Sequence, residues 1–333
     1  MRTTSLRILC ACTVFAWGCG SSPSSPSDGP DPRVLEGRTV NAIDGGATAG
    51  VSVQVGVRNV TSDSSGYFRV DVGGPSTHNV RVRGNSIVER ETAVTGPGTE
   101  PVRVSLIPAS FDLGSFDQMF RSGGGLQRWT NRPSLVVLAS VMTYLPGLRD
   151  EYVATGEQMT EDEVNQLVMH LTEGLSILTS GTFTAFASVE IERPAAGAKA
   201  SVNRTGKIVM GRYNGIVTLA NTIGYGQWAL TGDGAVSGGA MFLDRDFDRN
   251  DNRRRLLRIH ELGHALGLMH VTNRTSIMNP AIGPDVTDFD RAAATIAFQR
   301  PTGNRAPDAD PTGSTSLRGP GRAVVWAPPV YCR

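Results

Sequence analysis

Three of the chain's five histidines, His260, His264 and His270, fall within a single eleven-residue stretch. His260 and His264 are four residues apart. On a helix that spacing puts both imidazoles on one face, about one turn or ~6 Å apart along the axis. Two imidazoles so placed can hold one zinc ion, each at roughly 2.0–2.1 Å. Glu261 follows the first histidine directly. Its carboxylate can stand beside the metal without binding it, which suits a general base acting on a zinc-bound water.

Gly267 accounts for the rest of the stretch. A helix C-terminus often needs a residue at positive φ, which glycine adopts without a Cβ clash. The chain can then turn sharply and bring His270 back as a third nitrogen ligand. Three protein ligands leave one tetrahedral position open, as in catalytic zinc; structural zinc is usually closed by four. Two blander readings compete. One is an amphipathic core helix whose histidines are merely hydrogen-bonded. The other is a zinc-binding chain without turnover, which the intact Glu261 disfavours.

The residues from His260 to His270 read H-E-x-x-H-x-x-G-x-x-H, and the stretch resembles the metzincin metalloproteases, in their matrixin-like branch. Ser276 to Pro280 is similar to the Met-turn of that family, with Met278 as its methionine. The resemblance implies that Met278 forms an apolar floor under the metal without ligating it. Pro280 stands where astacin-like and serralysin-like relatives carry a tyrosine, so no tyrosine ligand is expected. The chain departs from the matrixin pattern in carrying Val271 after the third histidine, where serine is usual. No cysteine lies between Gly20 and Tyr331, so the pro-segment cysteine that caps zinc in matrixins has no counterpart there.

Elements must position these groups. Leu256, Leu257, Ile259 and Leu266 supply an apolar side to a helix through the histidines. Thr160 to Glu163 is a capping box, and Val164 to Leu178 continues at helical spacing; His170 within it reads as an ordinary packed histidine. Residues 133–138, 183–191 and 207–210 read as strands, and residues 288–299 as a closing helix. Strands alternating with a long helix predict a mixed sheet with helices against it. The run Gly238 to Leu243 precedes the histidine helix, and its small residues admit a close backbone approach. By the family resemblance it is the edge strand that pairs with an extended substrate, with Gly239, Ala240 and Met241 as the contacts; an ordinary glycine-rich strand is the alternative. Asp244 to Asn252 has the alternating carboxylates of a calcium loop but carries Arg249 and Arg255 where such a loop needs glycine and glutamate. Pairing of these acids with Arg253 to Arg255 is the stronger reading and a Ca2+ site the weaker.

Residues 1–19 have a basic start at Arg2 and Arg7 and a short apolar run from Ile8 to Trp17. They read as a signal segment rather than structure. The segment resembles a bacterial lipoprotein signal with lipidation at Cys19; a plain secretory signal is the alternative. Residues 20–32 are a Ser/Pro-rich tether. Residues 33–108 alternate with period two at Val51 to Val57, Val80 to Val82 and Val102 to Leu106, broken by turn signals. Thr61 to Val70 resembles the carboxypeptidase regulatory-like domain, which implies a prealbumin-like β-sandwich. Residues 109–310 form the metzincin-like part, opening on a short ordered junction from Phe111 to Phe120. Residues 311–333, rich in Pro, Gly and Ser, are expected to be a disordered tail. The tail's Cys332 can pair between chains, stay an inert thiol, or reach the metal. The expected fold class is α+β.

Basic and acidic residues nearly cancel, 32 Lys and Arg against 31 Asp and Glu, so nothing points to nucleic acid as a partner. The expected function is that of an exported zinc endopeptidase, held to a membrane by a lipid at Cys19 and acting on protein or peptide substrates. The competing expectation is a surface-anchored binding or adhesion protein in which the metalloprotease-like part is a zinc-binding scaffold.

Overall fold

The structure, a computed structural model, describes residues 31, 33–144, 151–215, 221–311 and 324–333. The signal segment, nearly all of the tether and Cys19 lie outside the described residues. No helix among the described residues is long and apolar enough to cross a membrane.

Seven strands occupy the N-terminal part. One sheet has the order β4 (Tyr67–Asp71), β1 (Val34–Asn41), β7 (Val102–Leu106). The other has the order β3 (Arg58–Thr61), β2 (Ser52–Val55), β5 (Ser76–Arg83), β6 (Arg90–Gly96). The period-two valines explain the core between them. Val51, Val53, Val55, Val80 and Val82 come from one sheet and meet Leu35, Phe68, Val70, Val104 and Leu106 from the other. The expected alternation fails at Val57, which is 99% exposed where the chain turns between β2 and β3.

The rest of the chain is built on a second, mixed sheet. Its main path runs β12 (Lys199–Ser201), β10 (Glu151–Gln158), β9 (Ser134–Tyr144), β13 (Lys207–Tyr213), β15 (Ala235–Asp244), β14 (Gly224–Leu230), β16 (Val325–Trp326). β9, β13 and β15 are mutually parallel, whereas β14 lies antiparallel to β15. The inner strands are apolar on both faces, as covered strands must be: Ile208, Val209 and Met210 are all fully buried. Helices α2 (Glu161–Leu178) and α4 (Arg254–Ala265) pack together in the main core with α5 (Asp288–Phe298). Gly174 lets α2 and α4 approach, since a Cβ there would stand 3.1 Å from Ile259 Cγ1. Thr160 caps α2 in the expected box, and Thr287 does the same for α5 with Asp290. The junction contains α1 (Leu113–Phe120), whose Phe116, Met119 and Phe120 are buried. A mixed sheet with segregated helices is compatible with α+β.

Three expectations change. Residues 183–188 are not strand; Phe183 and Phe186 are buried from a loop, and of this stretch the strand is β11 (Val189–Glu192), which pairs with β9. Gly239, Ala240 and Met241 are not on an edge. β15 is bonded by β13 on one side and β14 on the other, so a substrate cannot add to it. The smallness of Gly239 serves the helix instead, because a Cβ there would stand 2.6 Å from the Ala265 carbonyl oxygen. Finally, residues 324–333 are not a loose tail. β16 and β17 (Val330–Cys332) both pair antiparallel with β14. Trp326, Ala327 and Val330 pack on the cores beneath, which gives this end the apolar contacts its Pro/Gly-rich approach lacks.

Candidate metal centre

His260 and His264 both lie on α4, one turn apart, and both are fully buried. The helix ends at Leu266. Gly267 follows with φ +97°, and the Leu268 amide donates to the Gly263 carbonyl at 2.9 Å. This reversal returns the chain so that His270 faces the helix. The three Nε2 atoms stand 3.0 Å (His264 to His260), 3.2 Å (His264 to His270) and 3.3 Å (His270 to His260) apart. Nitrogens bound tetrahedrally to one zinc at ~2.0–2.1 Å lie about 3.3 Å apart, so the triangle fits the ion with little adjustment.

The ring orientations are fixed from behind. His260 Nδ1 lies 2.7 Å from the Ile277 carbonyl, and His264 Nδ1 lies 2.7 Å from that of Leu268. Each Nδ1–H therefore donates to a backbone oxygen, leaving Nε2 with its lone pair toward the centre. Burial pushes His260 down to about 3, against the Ile277 hydrogen bond. It pushes His264 well below its ordinary value, helped by the two neighbouring rings, and lowers His270 as well. All three are neutral at pH 7, the state a metal ligand needs.

Met278 lies beneath. It is fully buried, and a Cβ on Gly263 would stand 2.5 Å from its sulfur. The turn that carries it is pinned by Asp290 of α5. The Asp290 carboxylate accepts from the Ser276 hydroxyl, from the Ile277 amide at 3.0 Å and from the Thr287 hydroxyl at 2.8 Å. Asn279 closes the same turn by donating to the Val271 and Arg274 carbonyls. Asp290 was not singled out in the sequence, because the donors at Ser276 and Ile277 are brought to it only by the fold.

Glu261 is fully buried and both carboxylate oxygens lack a hydrogen-bond partner. Burial pushes its pKa well above the usual carboxylate range. An orphaned buried carboxylate is costly unless a cation stands beside it. A divalent ion among the three nitrogens supplies that charge, so the donor set and the unpaired acid call for the same group. Glycine at position 224 on β14 makes room, since a Cβ there would stand 2.5 Å from Glu261 Oε1.

Behind the helix lies an ionic clamp. Asp248 is fully buried and accepts from Arg212 at 2.8 Å and from Arg258 at 2.6 and 3.0 Å. Arg258 also reaches His170 Nδ1 at 3.1 Å, which gives that histidine a structural partner. The other acids of the loop are similarly taken. Asp244 caps α3 (Arg245–Asn250), Asp246 pairs with Arg245, and Asp251 pairs with Arg253. The clamp to Arg212 and Arg258 was not read from the sequence, because Arg212 is 36 residues away and Arg258 lies past the Arg253 to Arg255 run that the loop pointed to.

One further group stands at the site. The Cys332 sulfur, a His260 nitrogen and a Glu261 oxygen all lie within 4.8 Å of one another. Cys332 is fully buried, and burial next to Glu261 pushes its thiol far up.

Comparison with known families matches residues 215–293 to Matrixin, the Peptidase_M10 family. The matched range contains the strand β14, the helix α4, the three histidines, Met278 and the start of α5. It supports a metzincin-type metalloprotease domain and, with it, zinc binding at the group formed by His260, His264 and His270. No curated protein sequence matches the chain.

Proposed function

We propose that the chain is a zinc endopeptidase of the metzincin type, with a matrixin-like site in which His260, His264 and His270 hold the metal and Glu261 is the general base. The observation that carries this reading is the meeting of three imidazoles, His260 and His264 held from behind by backbone carbonyls, with an unpartnered buried carboxylate. Bound zinc supplies Lewis acidity, which acidifies a water and polarises a carbonyl. The chain's own residues do the rest. Glu261 takes the proton from the attacking water and can return it to the leaving amine. The Ile277 and Leu268 carbonyls keep His260 and His264 in the ligating tautomer. Met278 and Asp290 hold the floor of the site still while charge develops above it.

The N-terminal reading belongs to the same proposal. A signal segment over residues 1–19, lipidation at Cys19 and a tether over 20–32 suit an exported enzyme that works on proteins near a membrane surface. The prealbumin-like assignment of residues 33–108 rests on the turn motif at Asp63 to Phe68 together with the two-sheet packing.

The test measures zinc content and cleavage of a mixed peptide pool on wild type and on Glu261→Gln. One zinc per chain, with any cleavage lost by roughly 10²–10⁴-fold in the variant, is the expected result. A folded chain that takes up no zinc overturns the proposal.

A further inference from the structure

The sheet has a natural place for an extended substrate. β14 is its last long strand, and Glu261 lies directly behind Gly224 on that strand. On the other side of residues 332–333 from β14 is the segment Pro280 to Ile282, which follows the Met278 turn. A peptide lying between these two would add a strand to the sheet, with its backbone bonded on both sides.

That place is already taken by the chain's own end. β17 pairs antiparallel with β14 in the register Gly224 to Cys332, Tyr225 to Tyr331 and Gly226 to Val330. The Ile223 amide donates to the Cys332 carbonyl at 2.9 Å. On the opposite side, the Ile282 amide donates to the Arg333 carbonyl at 3.2 Å, and the Arg333 amide donates to the Pro280 carbonyl at 3.3 Å. The segment is therefore bonded from both walls, as a bound peptide would be. Its Cys332 side chain points inward, fully buried, to the space shared by His260 and Glu261. Glu261's two oxygens, unpartnered and sealed from solvent, are the mark of a catalytic group covered in this state.

We propose that residues 330–333 are an intramolecular plug: a strand that occupies the substrate groove, sets Cys332 over Glu261 and keeps the enzyme latent until it is displaced. This rests on the protease reading above. A tethered strand competes at an effective concentration in the millimolar range, so even modest intrinsic affinity suppresses turnover about tenfold or more. The plug is weakly held enough to leave. β17 and β16 are short, and Tyr331 is 47% exposed.

The experiment uses the whole chain, loaded with zinc, in wild-type and Cys332→Arg forms. Arginine cannot be seated in the closed space at position 332, so the strand must lift. Peptide-pool cleavage should rise at least about tenfold in the variant, and a synthetic peptide of residues 324–333 added in trans should bring it down again. A second readout stays with wild type and needs no turnover. Alkylation of Cys332, followed by mass spectrometry, should be slow, and should accelerate when a hydroxamate-ended peptide fills the groove. Wild-type cleavage as fast as that of Cys332→Arg overturns the plug and leaves the protease reading standing. So does alkylation that the hydroxamate peptide leaves unchanged, since β17 would then be a permanent edge cap. Absence of zinc and of cleavage in both forms removes the protease reading and the plug together.

Discussion

Gly239 on β15 and Ala265 on α4 come so close that a Cβ on residue 239 would stand 2.6 Å from the Ala265 carbonyl oxygen. The same oxygen accepts from Trp129 Nε1 at 3.1 Å, so it has no freedom to retreat. A neighbouring approach is also tight: a Cβ on Gly226 would stand 2.5 Å from His264 Cβ and 2.9 Å from the Glu261 carbonyl oxygen. The active-site helix is thus laid directly on backbone at two strands. Gly239→Ala is expected to cost about 1–3 kcal/mol, as overpacking against a fixed backbone does. Because the helix must lift, zinc affinity should fall too. Thermal melting and a zinc titration of the variant check both, and a wild-type zinc affinity would refute the coupling.

The sequence was most legible where a local rule coincides with the tertiary need. The histidine spacing, the turn at Gly267 and the Thr160 box each specify their own geometry over a few residues, and the structure places them as read. The strand beside the site was misplaced for a definite reason. Gly224 and Gly226 interrupt β14 because α4 sits against it, so it shows no clean alternation, whereas the glycines of β15 look like the exposed kind. Distance in the chain hid the rest. Asp248 finds Arg212 36 residues away, and Cys332 returns to a site 71 residues upstream of it, counting from Glu261. A composition rich in Pro and Gly does not distinguish a free tail from one whose final residues are seated by a groove.

Asp248 holds two buried arginines, and each of the three side chains is at most 1% exposed. Removing the acid leaves two buried guanidinium groups short of an acceptor, although Arg212 keeps Glu163 and Arg258 keeps His170. Breaking such a buried pair typically costs about 3–5 kcal/mol. Asp248→Asn is expected to show a loss of that order in urea unfolding. His170→Gln, which alters one hydrogen bond to Arg258, should lose far less. A near-neutral Asp248→Asn would mean the arginines find other acceptors.

Glu163 carries a pH-dependent share of stability. Partial burial works against its charge, but the Thr160 amide and then Arg212 and Arg249 hold it down to about 2, from an ordinary 4.5. A depressed acid contributes stability that is fully present above its unfolded value and lost as pH falls through the folded one. The gap between wild type and Glu163→Gln should therefore be constant above roughly pH 5, narrow between 4.5 and about 2, and close below that. Unfolding curves across this range test the sign. A gap that widens on acidification would refute it.

Asp308 joins the two parts of the molecule. Fully buried, it accepts from Arg300 at 2.8 Å and from Arg90 of β6 at 2.9 Å, while Arg300 donates onward to the Ser105 carbonyl of β7 at 3.0 Å. Asp310 takes the other face of the Arg90 guanidinium at 2.7 Å. Asp308→Ala leaves both arginines short of an acceptor at the contact between sandwich and catalytic part. Limited proteolysis is expected to separate the two parts sooner in the variant, with zinc uptake retained. Unchanged proteolysis would show that apolar contacts alone hold the junction.

Zinc itself should report on the site through stability. Ligand that binds only the folded chain stabilises it by about 2.7 kcal/mol at a hundredfold excess over its dissociation constant. The three neutral, preoriented imidazoles make the folded state the binding form, since the unfolded chain lacks the triangle of Nε2 atoms. Added zinc is therefore expected to raise the melting temperature of wild type and of Glu261→Gln alike, because Glu261 is not a ligand in this arrangement. His264→Ala loses the nitrogen common to the two shortest sides of the triangle, and its melting temperature should not respond to zinc. Equal zinc responses in wild type and His264→Ala would place the metal elsewhere and refute the centre as drawn.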